Sequence, residues 1–208
     1  DKEGNDAGTF TPKDWSVVVG YARKLPDDLS VGATARFIRS DMSGLDKDDV
    51  ANAVAFDLGL YYRRNFENWE QSQWAVGLQA SNFGTKIDYG YGKYDQASKV
   101  AAGGMIDHVF TDKHRLQGTL DVACQVLPNT NWGGSVGVEY TLLQIVAIRG
   151  GYHYGEQDNK LQRYGTLGCG VGCHHIKADF AYLIPEKDSL LKNTWQVALS
   201  IDLGLFKR

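Results

Sequence analysis

Apolar and polar positions alternate along most of this chain with a period of two. Between residues 29 and 37, for example, the odd positions hold Leu, Val, Ala, Ala and Phe, while the even positions hold Ser, Gly, Thr and Arg. A period of two is that of a β-strand with two unlike faces. We find about eleven such segments, with no helical pattern of useful length between them. The predicted strands are residues 14–25, 29–40, 53–64, 73–84, 99–110, 115–127, 133–140, 145–154, 163–173, 176–184 and 194–205.

The connections between the predicted strands alternate in length. The short ones lie at 26–28, 111–114, 141–144 and 174–175, and the longer ones at 41–52, 85–98, 128–132, 155–162 and 185–193. This alternation is the plan of an all-β, antiparallel up-and-down transmembrane β-barrel in the outer membrane, with long loops outside the cell and short turns in the periplasm. The 65–72 connection is an exception, since it is longer than a tight turn should be.

The polar side of the strands indicates which side faces lipid. It interleaves small residues with charged ones, such as Gly32 with Arg36 and Gly103 with Asp107. Such a surface suits the crowded, hydrated interior of a barrel, so we expect the apolar side to face lipid. Aromatic residues near both ends of the strands agree with this, because Trp and Tyr favour the membrane interfaces. A soluble β-sandwich or barrel is the alternative.

Composition narrows the class of protein further. The chain has 208 residues and a net charge of −3, which gives no electrostatic reason to expect nucleic-acid binding. No apolar run approaches the roughly 20 residues that a membrane-spanning helix requires, so a membrane role would have to use strands. We see no linker and no change of composition, so residues 1–208 are interpreted as one domain or part of one.

No catalytic constellation emerges from the sequence. The acidic residues of the polar side are expected to pair with Arg36, Lys177 and other cations rather than to act in general acid catalysis. These acidic residues are Asp57, Asp107, Asp121, Glu139 and Asp179.

A zinc site is the other chemical candidate. Its thiolate and imidazole ligands would be supplied by Cys169, Cys173, His174 and His175. The spacing matches no standard structural zinc site, and both cysteines fall on the apolar side. We therefore expect no enzymatic activity, no cofactor and no metal.

Several stretches resemble a known family. They are "LSVGATARFIRSD", "AFDLGLYYRR", "VGVEY" followed by "AIRGGYHY", "YGTLGCGVG", "IKADFAYLIP" and "NTWQVALSIDLG". The chain resembles the C-terminal part of the PorV (LptO) outer-membrane proteins of the type IX secretion system, from about Trp15 to its end. The Gly-x-Glu-Tyr…Arg-x-Gly-Tyr and Asp-Phe-Ala-Tyr-Leu patterns are the most specific parts of this resemblance.

The resemblance implies a barrel similar to the FadL fatty-acid transporters, with 14 strands. It also implies a non-enzymatic role in the bacterial outer membrane: the protein binds secreted cargo through the cargo's C-terminal signal domain and delivers it to a surface sortase. Cargo, sortase and translocon components would then be its protein partners. A passive transporter of hydrophobic small molecules is the alternative, which rests on analogy with FadL alone.

Strand parity provides an independent check on the topology. Single-chain bacterial barrels have an even number of strands and both ends in the periplasm, whereas about eleven strands would place residue 1 outside the cell. An odd number of strands is therefore expected to be missing, and three more would complete the 14 that the family implies. We interpret residues 1–208 as the C-terminal portion of a single barrel domain and expect the absent strands to pair with it.

Partner-binding residues are expected on the long loops, because Tyr and Trp are enriched in the hot spots of protein interfaces. The candidates are Tyr89, Tyr91, Tyr94 and Trp132. The alternative is that these side chains anchor the protein at the membrane interface or pack within their own loops.

Overall fold

The fold is an antiparallel up-and-down β-sheet. The structure is a computed structural model that describes residues 13–41, 50–90, 92–156, 163–173, 175–186 and 193–201. Its strands are β1 (Lys13–Lys24), β2 (Leu29–Asp41), β3 (Val50–Phe66), β4 (Trp69–Gly84), β5 (Ile87–Asp88), β6 (Lys93–Tyr94), β7 (Lys99–Thr111), β8 (His114–Gln125), β9 (Asn131–Leu142), β10 (Val146–Gly155), β11 (Tyr164–Cys173), β12 (Ile176–Pro185) and β13 (Trp195–Ile201). Eleven of them form one sheet in chain order, and β5 pairs with β6 in a separate hairpin. The predicted fold class is confirmed.

The connection between β3 and β4 differs from the prediction. Only Glu67 and Asn68 separate the two strands, so the expectation of a longer connection over 65–72 was wrong. Both strands continue past their predicted ends, and the rings of Phe66 and Trp69 meet edge to face across the turn with centroids 5.6 Å apart. Such cross-strand aromatic pairs stabilise a hairpin. The alternation of short and long connections therefore extends through this part of the chain.

Large apolar side chains cover one face of the sheet and remain exposed. Leu78 in β4, Leu120 in β8 and Leu167 in β11 expose 56%, 61% and 58% of their surfaces. The buried hydrophobic residues of the described chain are small, namely Ala51, Ala53, Ala55, Ala75 and Ala147. A contiguous apolar surface of this kind marks contact with another apolar phase, because a water-soluble domain buries its large apolar side chains. This is the distribution that the sequence predicts for lipid-facing strands.

The opposite face carries the polar and charged side chains. Asp107 in β7 exposes only 1% of its surface, although the flanking Ile106 exposes 57%. We call the two sides the apolar face, which carries residues such as Leu78 and Leu120, and the polar face, which carries residues such as Arg36, Asp57 and Asp107. The described residues contain no helix that is long and apolar enough to cross a membrane.

The described residues group into two compact units, which are considered separately below. Unit 1 is drawn from residues 1–60, 79–100 and 125–130. Unit 2 is drawn from residues 61–78, 101–124 and 131–208.

Candidate functional site

In unit 1 the polar face centres on Asp57 of β3. Its Oδ2 accepts a hydrogen bond from the Thr34 hydroxyl at 2.6 Å and lies 3.4 Å from an Arg36 guanidinium nitrogen. The backbone N–H of Asn82 donates to the other carboxylate oxygen at 2.8 Å. The prediction that the acidic residues of this side pair with Arg36 and other cations is therefore confirmed for Asp57, which also accepts hydrogen bonds from Thr34 and Asn82.

In unit 2 the most deeply buried charge is that of Asp107. Arg115 of β8 holds it with two hydrogen bonds, Nε to Oδ1 at 2.7 Å and a terminal nitrogen to Oδ2 at 2.5 Å. The Gln73 side chain of β4 donates to Oδ2 at 2.9 Å. A bidentate arginine is the strongest partner that a carboxylate can have, and it fixes the geometry as well as the charge.

A second ion-paired group spans four strands of unit 2. Glu139 of β9 lies directly opposite Arg149 of β10 and forms an ion pair with it. Arg149 also reaches past β11 to Asp179 of β12 at 2.5 Å, and Lys177 lies 3.7 Å from the same carboxylate. Asp179 thus pairs with Lys177, one of the predicted cations, but Arg149 is the nearer partner. Asp121 is exposed and forms no ion pair with another described residue.

Gly170 in β11 makes room for the long reach of Arg149. It lies opposite Asp179 in the register of β11 with β12, and a Cβ there would collide with Oδ1 of that carboxylate. The Arg149 guanidinium nitrogens would be only 3.3 Å from the same Cβ. A side chain at this position would therefore break the bridge between Arg149 and Asp179. The nearby Gly172 has no such constraint, since its nearest neighbour would lie at 3.7 Å.

Several charged side chains of unit 2 line a cavity of about 710 Å³. Its walls include Asp107, Arg115, Glu139 and Lys177, together with amide and hydroxyl groups of other polar residues. Such a lining offers hydrogen bonds to water and polar solutes. The carboxylates of Asp107 and Glu139 already bind arginine, so this arrangement offers no poised acid–base pair.

Two serine–histidine hydrogen bonds in unit 2 were missed by the sequence analysis. The Ser72 hydroxyl lies 3.0 Å from Nδ1 of His108, and the Ser135 hydroxyl lies 2.9 Å from Nδ1 of His153. Each imidazole also packs against aromatic rings: His108 against Trp69 at 4.5 Å and Phe110 at 4.3 Å, and His153 against Tyr164 at 5.0 Å. The contacts hold the histidines in place. Apart from that of His108 with Phe110 in the same strand, they join adjacent strands, so only the strand register brings the partners together.

Of the four residues considered for zinc, the structure describes Cys169, Cys173 and His175, and these three do not form a metal site. Cys169 and Cys173 are exposed in β11, and His174 lies outside the described residues. No group of three or more His, Cys, Asp or Glu among the described residues is placed to hold a metal ion.

The aromatic candidates for partner binding have different environments. Tyr94 is 52% exposed, and its ring meets that of Tyr89 with centroids 6.0 Å apart. Tyr89 is half-buried and donates its hydroxyl to Ser40 at 3.1 Å. Tyr91 lies outside the described residues. These residues belong to unit 1, so the structure brings Tyr89 and Tyr94 together on one loop.

Trp132 belongs to unit 2 and exposes 55% of its surface at the start of β9. Its backbone is held by Glu156: the Trp132 N–H donates to the carboxylate at 3.3 Å, and the Glu156 N–H donates to the Trp132 carbonyl at 3.3 Å. The indole ring is therefore exposed on a fixed backbone.

Comparison with known proteins identifies the family. The family described as type IX secretion system protein PorV matches residues 1–131, which is more than half of the 208 residues. The stretches "LSVGATARFIRSD" and "AFDLGLYYRR" lie within the match, whereas the Gly-x-Glu-Tyr pattern lies beyond it. No curated protein matches the chain. This family is a component of a secretion system rather than a family of enzymes. With its all-β fold and exposed apolar face, the chain belongs to the PorV family of outer-membrane β-barrel proteins of the type IX secretion system.

Proposed function

We propose that this protein receives secreted cargo at the cell surface, through the cargo's C-terminal signal domain, and delivers it to the sortase of the attachment complex. It acts without catalysing a reaction. Its long connections face the cell exterior, and its apolar face contacts the lipid of the outer membrane. The observation that carries this proposal is the exposed indole of Trp132 on a protein of the PorV family.

Exposed aromatic rings on ordered backbone are suited to binding a protein partner. Tyr and Trp supply much contact area at little cost in conformational entropy, and they are enriched among interface hot spots. Among the candidates that the structure describes, Trp132 and Tyr94 are the most exposed, at 55% and 52%. Tyr89 supports Tyr94 through their ring contact. We propose that Trp132, Tyr94 and the neighbouring Tyr89 and Tyr91 contact the signal domain.

The lining of the large cavity in unit 2 favours this function over transport of hydrophobic molecules. A FadL-like transporter would need an apolar pocket, because binding sites for hydrophobic ligands are lined mainly by apolar side chains. The cavity of about 710 Å³ is instead lined by ion-paired side chains such as Asp107 and Arg115. Transfer of a hydrocarbon chain from water into this polar cavity would gain little free energy.

Binding of a labelled cargo signal domain to intact cells tests the proposed function. We expect Trp132→Ala and Tyr94→Ala each to weaken the affinity by about 30-fold, which corresponds to about 2 kcal/mol for a hot-spot residue. Binding to intact cells would also show that these loops face outward, because the added domain does not cross the outer membrane.

Trp15→Ala is the matched control, because Trp15 is a comparably exposed aromatic residue within strand β1. Its removal should leave the affinity unchanged. If all three variants bound the signal domain as tightly as the wild type, Trp132 and Tyr94 would not be the contact residues. If the wild-type protein itself did not bind, the cargo function would be wrong.

We also propose that further strands cover the two end strands of the sheet, to give the 14-stranded barrel that the family resemblance implies. Among the described strands, β1 pairs only with β2 and β13 only with β12. Each unsatisfied backbone group in hydrocarbon costs several kcal/mol, so both edges require partners in a bilayer. The intact mass of the purified, unboiled protein should include these strands. A mass of 23.0 kDa in a heat-modifiable barrel would contradict the proposal.

A further inference from the structure

A loop of unit 1 folds back onto the polar face of the sheet. Residues 83–98, which include the β5–β6 hairpin, contact the polar face of β2 and β3, and we call them the strap. The strap is described throughout except at residue 91. From the sequence, 85–98 is predicted as a long connection that carries the candidates Tyr89, Tyr91 and Tyr94, and nothing in it indicates contact with the face of the sheet.

The contacts of the strap place it on the polar face. The Tyr89 hydroxyl donates to Ser40, which follows Arg36 on that face of β2 and is 6% exposed. The Gln96 side chain donates to the carbonyl oxygens of Val54 at 3.0 Å and Thr85 at 2.6 Å. The Thr85 N–H also donates to the Val54 carbonyl, at 2.9 Å. Gln96 and Ser98 are 9% and 2% exposed, so the strap is packed against the strands.

Asn82 joins the two ends of the strap to the sheet. It has a φ of 59°, a left-handed conformation that Asn adopts more readily than most residues. Its N–H donates to Asp57, and its side-chain oxygen accepts from Arg36 at 3.3 Å. Its side-chain amide donates to the Ala97 carbonyl at 3.2 Å, and its own carbonyl accepts from the Ser98 hydroxyl at 2.7 Å. The start and the end of the strap are thus held at one residue.

Small residues make this close approach possible. The polar face of β3 beneath the strap carries Ala51, Ala53 and Ala55, which expose 1%, 3% and 1% of their surfaces. A Cβ at Gly84 would lie 1.8 Å from the Val54 carbonyl oxygen and 2.8 Å from the Ala55 Cα. Both neighbours are backbone atoms and cannot move aside cheaply. Any side chain at residue 84 would therefore push the strap away from β3.

The tip of the strap is itself ordered by ion pairs. Lys93 lies 3.2 Å from Asp88, and Lys86 lies 3.1 Å from Asp95. The Gly90 N–H donates to Asp88, and this hydrogen bond, together with Lys93, lowers the pKa of the Asp88 carboxyl. The β5–β6 part of the strap is therefore held together by its own contacts, and Asn82 and Gln96 hold the strap against the strands.

We propose that the strap is a constriction inside the barrel, which narrows the passage at the end with long connections and limits the flow of small solutes. The polar face of a transmembrane barrel lines its interior, so a segment packed on that face occupies the lumen. A permanently open lumen would let solutes leak across the outer membrane. The strap closes this route, and because polar contacts hold it, it can lift without exposing an apolar core.

Ion conductance of the full-length protein in planar lipid bilayers tests the strap. We expect Gly84→Ala to raise the conductance several-fold over the wild type, because the added Cβ displaces the strap from β3. Gln96→Ala should raise it by a smaller factor, since the side chain's hydrogen bonds to Val54 and Thr85 are lost while the strand backbone is unaltered. Gly118→Ala is the matched control, because a Cβ there meets nothing within 4 Å.

Heat-modifiable mobility on gels shows which variants have folded. The proposal is overturned if folded Gly84→Ala and Gln96→Ala both conduct like the wild type, or if the wild type already conducts as freely as the variants. If Gly84→Ala fails to fold, the conductance of Gln96→Ala alone tests the proposal. Because conductance needs no cargo, this result is independent of the binding experiment with Trp132.

Discussion

Replacing Arg115 with Met should lower the free energy of unfolding by about 3 kcal/mol, because it leaves a buried carboxylate without its cation. Asp107 exposes 1% of its surface, and Arg115 supplies two of the three hydrogen bonds that hold it. The bond from Gln73 remains, which places the loss at the lower end of the range for a broken buried pair. Urea unfolding of the full-length protein from phospholipid vesicles measures the change.

Arg36→Met is the matched control for this substitution. Its partner Asp57 keeps the Thr34 hydroxyl and the Asn82 N–H, and the guanidinium lies 3.4 Å from the carboxylate. We expect a loss of about 0–1 kcal/mol, as for a partly exposed ion pair. In the double variant Arg115→Met/Asp107→Asn much of the lost stability should return, because no unpaired charge stays buried. Equal losses for Arg115→Met and Arg36→Met would show that burial of Asp107 does not decide the outcome.

The strands could be predicted from the sequence because their two faces meet different surroundings. Apolar residues such as Leu78 and Leu120 occupy every second position of their strands. This pattern can be recognised even where the ends of the connections are predicted wrongly. The ends of the strands were harder to predict. Residues 65–72 contain several polar residues, and this composition favours a loop. In the structure the strands continue into this region, and the rings of Phe66 and Trp69 pack together across a tight hairpin turn.

The ion pairs could be predicted only in part. The sequence indicated that the carboxylates would pair with cations, and it named Arg36 and Lys177 correctly. It did not identify Arg115 or Arg149. Folding the β9–β10 hairpin about residues 143–145 would have placed Glu139 opposite Arg149, because the two are register partners. The link to Asp179 depends on a third strand and on Gly170, which no local pattern reveals.

The strap could not be predicted from the sequence, and the reason is physical. Its docking depends on a left-handed Asn82 and on a side chain, Gln96, that bonds to backbone 42 residues earlier. Polar residues such as Gln96 and Ser98 usually indicate an exposed loop. Only the stripe of alanines in β3 was a signal, since small residues at alternate positions leave space for another segment.

Replacing Leu78 with Arg should cost about 2–4 kcal/mol of stability in the membrane, the range for a cation facing lipid near the bilayer midplane. Leu78 lies on the apolar face of β4, ten positions into a strand that runs from Trp69 to Gly84, and it exposes 56% of its surface. In a bilayer this exposed surface contacts hydrocarbon. The introduced guanidinium must therefore either lose its hydration or draw water and lipid headgroups into the bilayer. Urea unfolding from phospholipid vesicles measures the loss.

Gln79→Arg introduces the same side chain one residue further on, where the strand presents the polar face. Lumen positions tolerate charge, so we expect a change of about 0–1 kcal/mol. The contrast between neighbours decides between a membrane protein and a soluble one. On a water-soluble sheet an exposed Leu78→Arg would change stability by less than about 0.5 kcal/mol, because the guanidinium would remain hydrated. A small effect at both positions would therefore contradict a lipid-facing apolar face, whereas a large loss at Leu78 alone requires that this face lies in hydrocarbon.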